Sequence, residues 1–360
     1  MKIVKRITAL IMVAVLSLSL VGCIHKKNEI AVTIGDTEFT SAYYMCALVN
    51  ANMEAKQKVN EMLTADEQKE DINYYSKKID KKSYVDWVED RAIEVLKEIA
   101  TFKALCAENK VKLTAELKTE AEQNVATMWD YYGYSAYYEP NGVSRDTFLK
   151  FTEDNFYSEA YFMSVYGKGG TKEIAEDKVA KEITDSYIIV DKISITYDQD
   201  YDKKDKETQK AEATETLNGY VNLIKSGKKT FVDIYKEHYD LTNEETTTNE
   251  EKPVNTYAAI VGKEGTSFED NNYKTYKKYE VNEPKVEENS DATGMDLVIK
   301  RDITTDKYFM DYLDDFARHS IADEDYDKEI QEYAKKLKAE INNYAVNQFK
   351  VKNIVEPEAN

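Results

Sequence analysis

The sequence predicts an α+β protein that is mainly helical, with a small mixed α/β segment set into a helical domain. Three observations lead there. Only 4 prolines and 12 glycines occur in 360 residues, which favours long helices over an all-β fold. Apolar residues recur at three- and four-residue steps along most of the chain before Tyr187 and again after Asp306. Between Tyr187 and Arg301 the pattern turns β-branched and then polar. Helices, a mixed segment, then helices again suggest one domain inserted into another. Residues 31–186 and 303–355 would form the helical domain and residues 187–302 the insert.

The chain opens with Lys2, Lys5 and Arg6 before an apolar run, Ile7 to Val21. That order is a secretory signal peptide over residues 1–22, and the run is too short to cross a bilayer, which needs roughly 20 apolar residues. Leu20-Val21-Gly22-Cys23 resembles a bacterial lipobox, which implies cleavage before Cys23 and lipid on its sulfur and new amino group. An uncleaved anchor is the alternative. The expected location is extracytoplasmic, lipid-anchored to the bacterial cell membrane. Residues 23–30 then form the tether; the six residues Ile24 to Glu29 reach at most ~20 Å.

Ile30 to Ile34 alternates as a strand and Gly35-Asp36 turns the chain. Thr40 or Ser41 caps a helix to about Leu63, and Ser83 with Asp86 starts another in the manner of a capping box. In that second helix Val85, Val88, Ala92, Val95, Leu96, Ile99, Phe102 and Cys106 draw one apolar stripe. Leu113-Thr114 opens a third, ending in the tyrosines before Pro140-Asn141-Gly142; further helices fit Ser144–Tyr166 and Glu173–Ser186. In the insert, Ile188–Thr196 and Met295–Arg301 read as strands, and Glu207–Lys225 and Phe231–Tyr239 as helices. The polar stretch Leu241–Ala292 reads as loops around one or two weak strands. Helices are expected again over Asp306–Arg318 and from Asp325 to about Val346, with Phe349–Val355 as a closing strand.

The formal charge of −19 excludes nucleic acid and anionic lipid as partners. Removing the basic leader makes the remainder more acidic still. Membrane contact is then left to the acyl chains, and two suffice where one is marginal. Beyond Cys23 only Cys46 and Cys106 remain, so no disulfide framework exists; two buried free thiols or one bridge both fit.

Several of these segments resemble the SurA/PrsA-type exported foldases. The opening strand, Gly-Asp turn and helix are similar to the family's start. Glu94-Val95-Leu96 through Ala104, then Asn109 to Thr114, resemble its helix and Val-x-Leu-Thr step. Glu176 to Tyr187 is similar to its lead into a parvulin-type prolyl isomerase domain. Gly227-Lys228-Lys229-Thr230-Phe231, with Tyr235 and Tyr239, resembles a helix start inside that domain, and Gly294 to Lys300 its closing strand. The resemblance implies a SurA-N-like chaperone domain made from both chain ends, with an inserted parvulin-like domain.

Prolyl isomerisation needs no cofactor, metal or nucleophile, only stabilisation of a twisted amide against ~20 kcal/mol. The resemblance implies two facing histidines, one in the first strand and one in the last. Here those positions fall on Lys192 and Asp296, and the family's glycine-rich segment between them is missing. Isomerase activity is therefore expected to be weak or absent, and the opposite charges are expected to form a cross-strand pair worth ~0.2–1 kcal/mol. A recruited catalytic pair is the sharper alternative.

No metal site is expected. Asp198-Gln199-Asp200-Tyr201-Asp202 and Asp323-Glu324-Asp325-Tyr326-Asp327 begin like calcium loops but lack the glycine and the closing glutamate. His25, His238 and His319 have no ligand spacing, and surface or helix-end positions are expected for the last two. Tyrosine, 28 residues against 11 phenylalanines and 2 tryptophans, offers apolar area with a polar tip. Tyr131, Tyr132, Tyr134, Tyr137 and Tyr138 are the expected exposed, client-binding cluster; a packed corner is the alternative. The whole reads as a membrane-anchored extracytoplasmic chaperone whose partners are unfolded or nascent exported polypeptides. A solute-binding lipoprotein of a transporter, or a surface structural or adhesion lipoprotein reusing the foldase fold, are the rivals.

Overall fold

Hydroxyl side chains start the long helices where the sequence places them. The computed structural model describes residues 28–64, 67–69, 72–198, 206–241 and 258–357. The leader 1–22, Cys23, Gln199–Asp202 of the first acidic loop and residues 242–257 lie outside that set. The protein is α+β, and the chain divides into two units: one takes residues up to Glu173 and from Glu324 onward, the other runs from Ile174 to Asp323.

In the first unit, β1 (Ile30–Ile34) and β2 (Thr37–Thr40) form an antiparallel hairpin. Gly35 turns it at φ +56°, a conformation that a β-carbon disfavours. The Thr40 hydroxyl then accepts from the Tyr43 amide to cap α1 (Ser41–Met62). A small hairpin, β3 (Lys78–Ile79) and β4 (Lys82–Ser83), leads to α2 (Tyr84–Glu108), capped by Ser83. Its stripe Val88, Ala92, Val95, Leu96 and Ile99 is buried, with Val85 and Phe102 half-buried at the margins. Thr114 caps α3 (Ala115–Val125), which widens into a π-helical turn that carries Trp129 inward. Next come α4 (Ser135–Tyr138), α5 (Arg145–Asn155) and α6 (Tyr157–Tyr166). The single helix expected over Ser144–Tyr166 is thus broken at Phe156, where the Asn155 side chain turns back to the Phe151 carbonyl.

In the second unit, α7 (Glu176–Ser186) runs directly into β5 (Tyr187–Thr196). The elements α8 (Lys206–Lys225), α9 (Phe231–His238), β6 (Ala258–Gly262), α10 (Tyr273–Tyr276), β7 (Pro284–Glu288) and β8 (Gly294–Lys300) follow. They build a four-stranded antiparallel sheet in the order β6-β5-β8-β7. One face packs Ile193, Met295, Leu297 and Ile299 against Leu217 of α8 and Phe231 and Ile234 of α9. The other packs Ile188, Val190, Val261 and Val298 against Tyr276. Then come α11 (Lys307–Tyr312) and α12 (Asp314–Ala334), the latter continuous through the break expected after Arg318. Arg318, only 2 % exposed, donates to Asp314, to the Ile174 carbonyl at 3.0 Å and to Glu176 at 2.8 Å. This binds the start of α12 to α7. The start of α12 therefore belongs with α7 to the second unit, which ends within α12 at Asp323.

The chain re-enters the first unit at Glu324, within α12, and goes on to β9 (Ala339–Ile341) and α13 (Asn343–Val346). β9 pairs antiparallel with β1, Val32 opposite Ile341 and Ile34 opposite Ala339. The helix expected to about Val346 therefore ends at Ala334. The closing strand expected over Phe349–Val355 is a single 3₁₀ turn, Val351–Asn353. β9 pairs with the edge of β1 although its three residues are all exposed.

Cys46 and Cys106 are free and buried. Burial holds the Cys46 thiol well above its ordinary value and pushes Cys106 up to about 11. At pH 8 iodoacetamide should leave both unmodified in the native chain and label both in urea. Mass spectrometry of the two peptides checks this, and labelling of Cys46 without urea would contradict it.

Candidate functional site

The β5–β8 register sets Lys192 opposite Val298 and Ser194 opposite Asp296. Lys192 and Asp296 are therefore diagonal neighbours on one face of the sheet, and the structure brings their charges together: Lys192 Nζ lies 3.1 Å from Asp296 Oδ2. The environment is unequal. The Asp296 side chain is 2 % exposed and that of Lys192 40 %. The cross-strand pair expected from the sequence is thus present but one-sided, because Asp296 sits on the central strand β8 between β5 and β7. Its Oδ1 is buried and accepts no hydrogen bond among the described residues.

Glu287 of β7 stands opposite Asp296 on the other side. The Tyr279 hydroxyl donates to Glu287, and Lys285 Nζ lies 4.2 Å from the centre of the Tyr279 ring. Tyr276 closes this face. Burial first, then the Glu287 and Asp296 charges, hold its phenol well above the ordinary range, so it stays protonated. Past the last described β5–β6 pair, Asp191 with Ala258, the Tyr239 hydroxyl accepts from the Ser194 amide at 3.1 Å. Sequence reasoning missed Ser194, Tyr276, Tyr279 and Glu287; only the strand register could have found them. The site offers a charge pair, a phenol and one vacant acceptor.

The tyrosine segment of the first unit is split. Tyr131 and Tyr132 are 81 % and 65 % exposed and meet edge-on at 5.1 Å. Tyr134 and Tyr137 are half-buried against the first unit's core. Tyr138 is buried, with its ring 4.7 Å from Phe148 and 6.1 Å from Trp129. An exposed cluster of five is therefore corrected to an exposed pair. The π-helical turn rotates Trp129 inward, and Tyr138 closes over it. Beside Tyr137 lies a cavity of about 890 Å³ that also reaches Met53, Gln57, Asn60 and Gln68.

Asp154 in the first unit is a second buried carboxylate unread from the sequence. It accepts from Tyr43 and Lys103 at 3.0 Å and from Lys150 at 2.7 Å. With both oxygens satisfied it pins α5, capped by Ser144, to α1 and α2. His238 meets Tyr239 edge-on at 4.6 Å and His319 contacts Asp323 at 2.7 Å, one helical turn on. Asp323–Asp327 lies within α12, so it has no loop to wrap an ion. Among the described residues no group of three His, Cys, Asp or Glu side chains could hold a metal, and no helix is long and apolar enough to cross a membrane.

The chain matches no protein-family model and no curated protein. Among solved structures it is similar to the crystal structure of the foldase protein PrsA from Lactococcus lactis. The sequence identity is 12 % and the TM-score 0.34, over 89 % of this chain and 99 % of that one.

Proposed function

We propose that this protein is an extracytoplasmic chaperone, anchored through lipid on Cys23, that holds unfolded exported polypeptides, with a parvulin-like domain that no longer isomerises proline. The observation that carries the reading is the contact between Lys192 and Asp296. The two positions that resemble the family's paired imidazoles are neighbours across β5 and β8, and opposite charges fill them. A lysine neutralised by a buried aspartate does not supply the neutral, paired imidazoles implied for the reaction. The sheet then serves as a binding surface or spacer. The first unit, closed by the β1–β9 pairing, supports the holding role with its exposed tyrosine pair and its cavity.

Aggregation of a reduced client protein tests this. Suppression by the full chain is expected, with a clear loss in Tyr131→Ser/Tyr132→Ser. Those exposed positions should change stability by no more than about 0.5 kcal/mol. A proline-containing peptide should isomerise no faster than background. A clear rate abolished by Asp296→Ala would overturn the inactive assignment. No suppression, together with a thermal shift by one small solute, would favour the transporter reading. Among the described residues all three sheets pair their strands antiparallel, which lends that rival no support.

A further inference from the structure

We propose that the first unit carries a groove for an extended polypeptide segment bearing a carboxylate, and that residues 354–357 of the chain itself occupy its mouth. This rests on the chaperone reading and deepens it, by naming where a client strand binds and what is recognised in it.

Two buried asparagines build the mouth. Asn141, 9 % exposed, treats Val355 as a neighbouring strand would. Its Nδ2 donates to the Val355 carbonyl at 2.7 Å, and the Val355 amide donates back to Oδ1 at 2.8 Å. The same Nδ2 also donates to the Tyr137 carbonyl at 2.6 Å, which fixes the amide's orientation. Asn52, 3 % exposed, meets the next residue: its Nδ2 donates to Glu356 Oε1 at 3.1 Å. The Tyr84 hydroxyl donates to Asn52 Oδ1 at 2.8 Å, so this amide too has only one face left to offer. Lys56 pairs with the other Glu356 oxygen.

The recognition is selective in a particular way. The Val355 side chain is 50 % exposed, so that residue is held by its backbone alone. Glu356 is held by its charge. Pairing to the main chain with one side-chain requirement is how an added strand is bound with little sequence preference. Glu356 and Pro357 themselves line the cavity of about 890 Å³, with Met53 and Tyr137 as apolar lining and Gln57, Asn60 and Gln68 supplying amides. That volume falls within the usual ligand range of ~300–1,000 Å³. The occupying segment begins three residues after Val351, which is buried at 0 % exposure. Such a short tether sustains an effective concentration in the ~mM range, which a free segment must outcompete.

The probe is a fluorescent peptide, acetyl-Asn-Ile-Val-Glu-Pro-Glu-amide, titrated by anisotropy into three proteins. These are the full chain, a chain ending at Asn353, and full-length Glu356→Lys, whose new cation repels Lys56. Both variants are expected to bind at least tenfold tighter than the full chain. The peptide with glutamine at its first glutamate should bind at least tenfold weaker. Equal affinity of folded Glu356→Lys and the full chain, or equal affinity for the two peptides, overturns the proposal. If the shortened chain does not fold, Glu356→Lys alone decides. Client aggregation is followed in parallel. Suppression without peptide binding removes the groove and leaves the chaperone reading; loss of both removes both.

Discussion

Lys192→Met is expected to lower the unfolding free energy by about 3 kcal/mol, far more than the loss of a surface ion pair, because it strips a buried carboxylate of its partner. The reason lies in the asymmetry of the site. Asp296 is 2 % exposed, its Oδ1 has no hydrogen bond among the described residues, and Lys192 is its only cation within 4 Å there. The converse change is mild. Lys192 is 40 % exposed, so when Asp296→Asn removes the charge, the ammonium returns to water and the loss should stay under about 1 kcal/mol. Urea unfolding of both variants, with unchanged m-values, reads the difference. Equal losses would show that the pair behaves as an ordinary surface contact.

Arg318→Ala should cost about 3–4 kcal/mol, since it deletes charge-assisted hydrogen bonds and leaves a carbonyl and two carboxylates without their donor. The guanidinium donates to Ile174, Glu176 and Asp314 at once. Arg318→Lys should recover only part of the loss, because an ammonium cannot span a planar fork. A loss below about 1 kcal/mol in urea for Arg318→Ala would show that α12 is held to α7 by packing alone.

The local framework was legible because its signals are local. A helix cap needs one hydroxyl in the right place, and Thr40, Ser83 and Thr114 each accept from the amide three residues on. An apolar stripe repeats with the helix, so the buried face of α2 could be drawn residue by residue. β5 and β8 declared themselves by β-branched and apolar runs. The candidate site was half-legible. The resemblance singled out Lys192 and Asp296 and implied that they are neighbours. Their unequal burial could not be read, because it depends on β7 flanking β8 on its far side and on Tyr276 covering the same face.

What failed in the reading failed for one kind of reason. Tyr138 was placed with the exposed tyrosines, yet a π-helical turn brings Trp129 beneath it and Phe148 beside it. Ala339–Ile341 is a strand although all three of its residues are exposed, because it pairs through its backbone with Val32 to Ile34 of the hairpin. The sequence by itself determined the elements, their caps, the acidic charge and the leader pattern, since each follows from residues within a few positions of one another. Only the tertiary structure decided which carboxylates are buried, which tyrosines remain in water and which distant strands join. Those depend on partners that can lie 300 residues or more away in the chain, as when Glu356 meets Lys56.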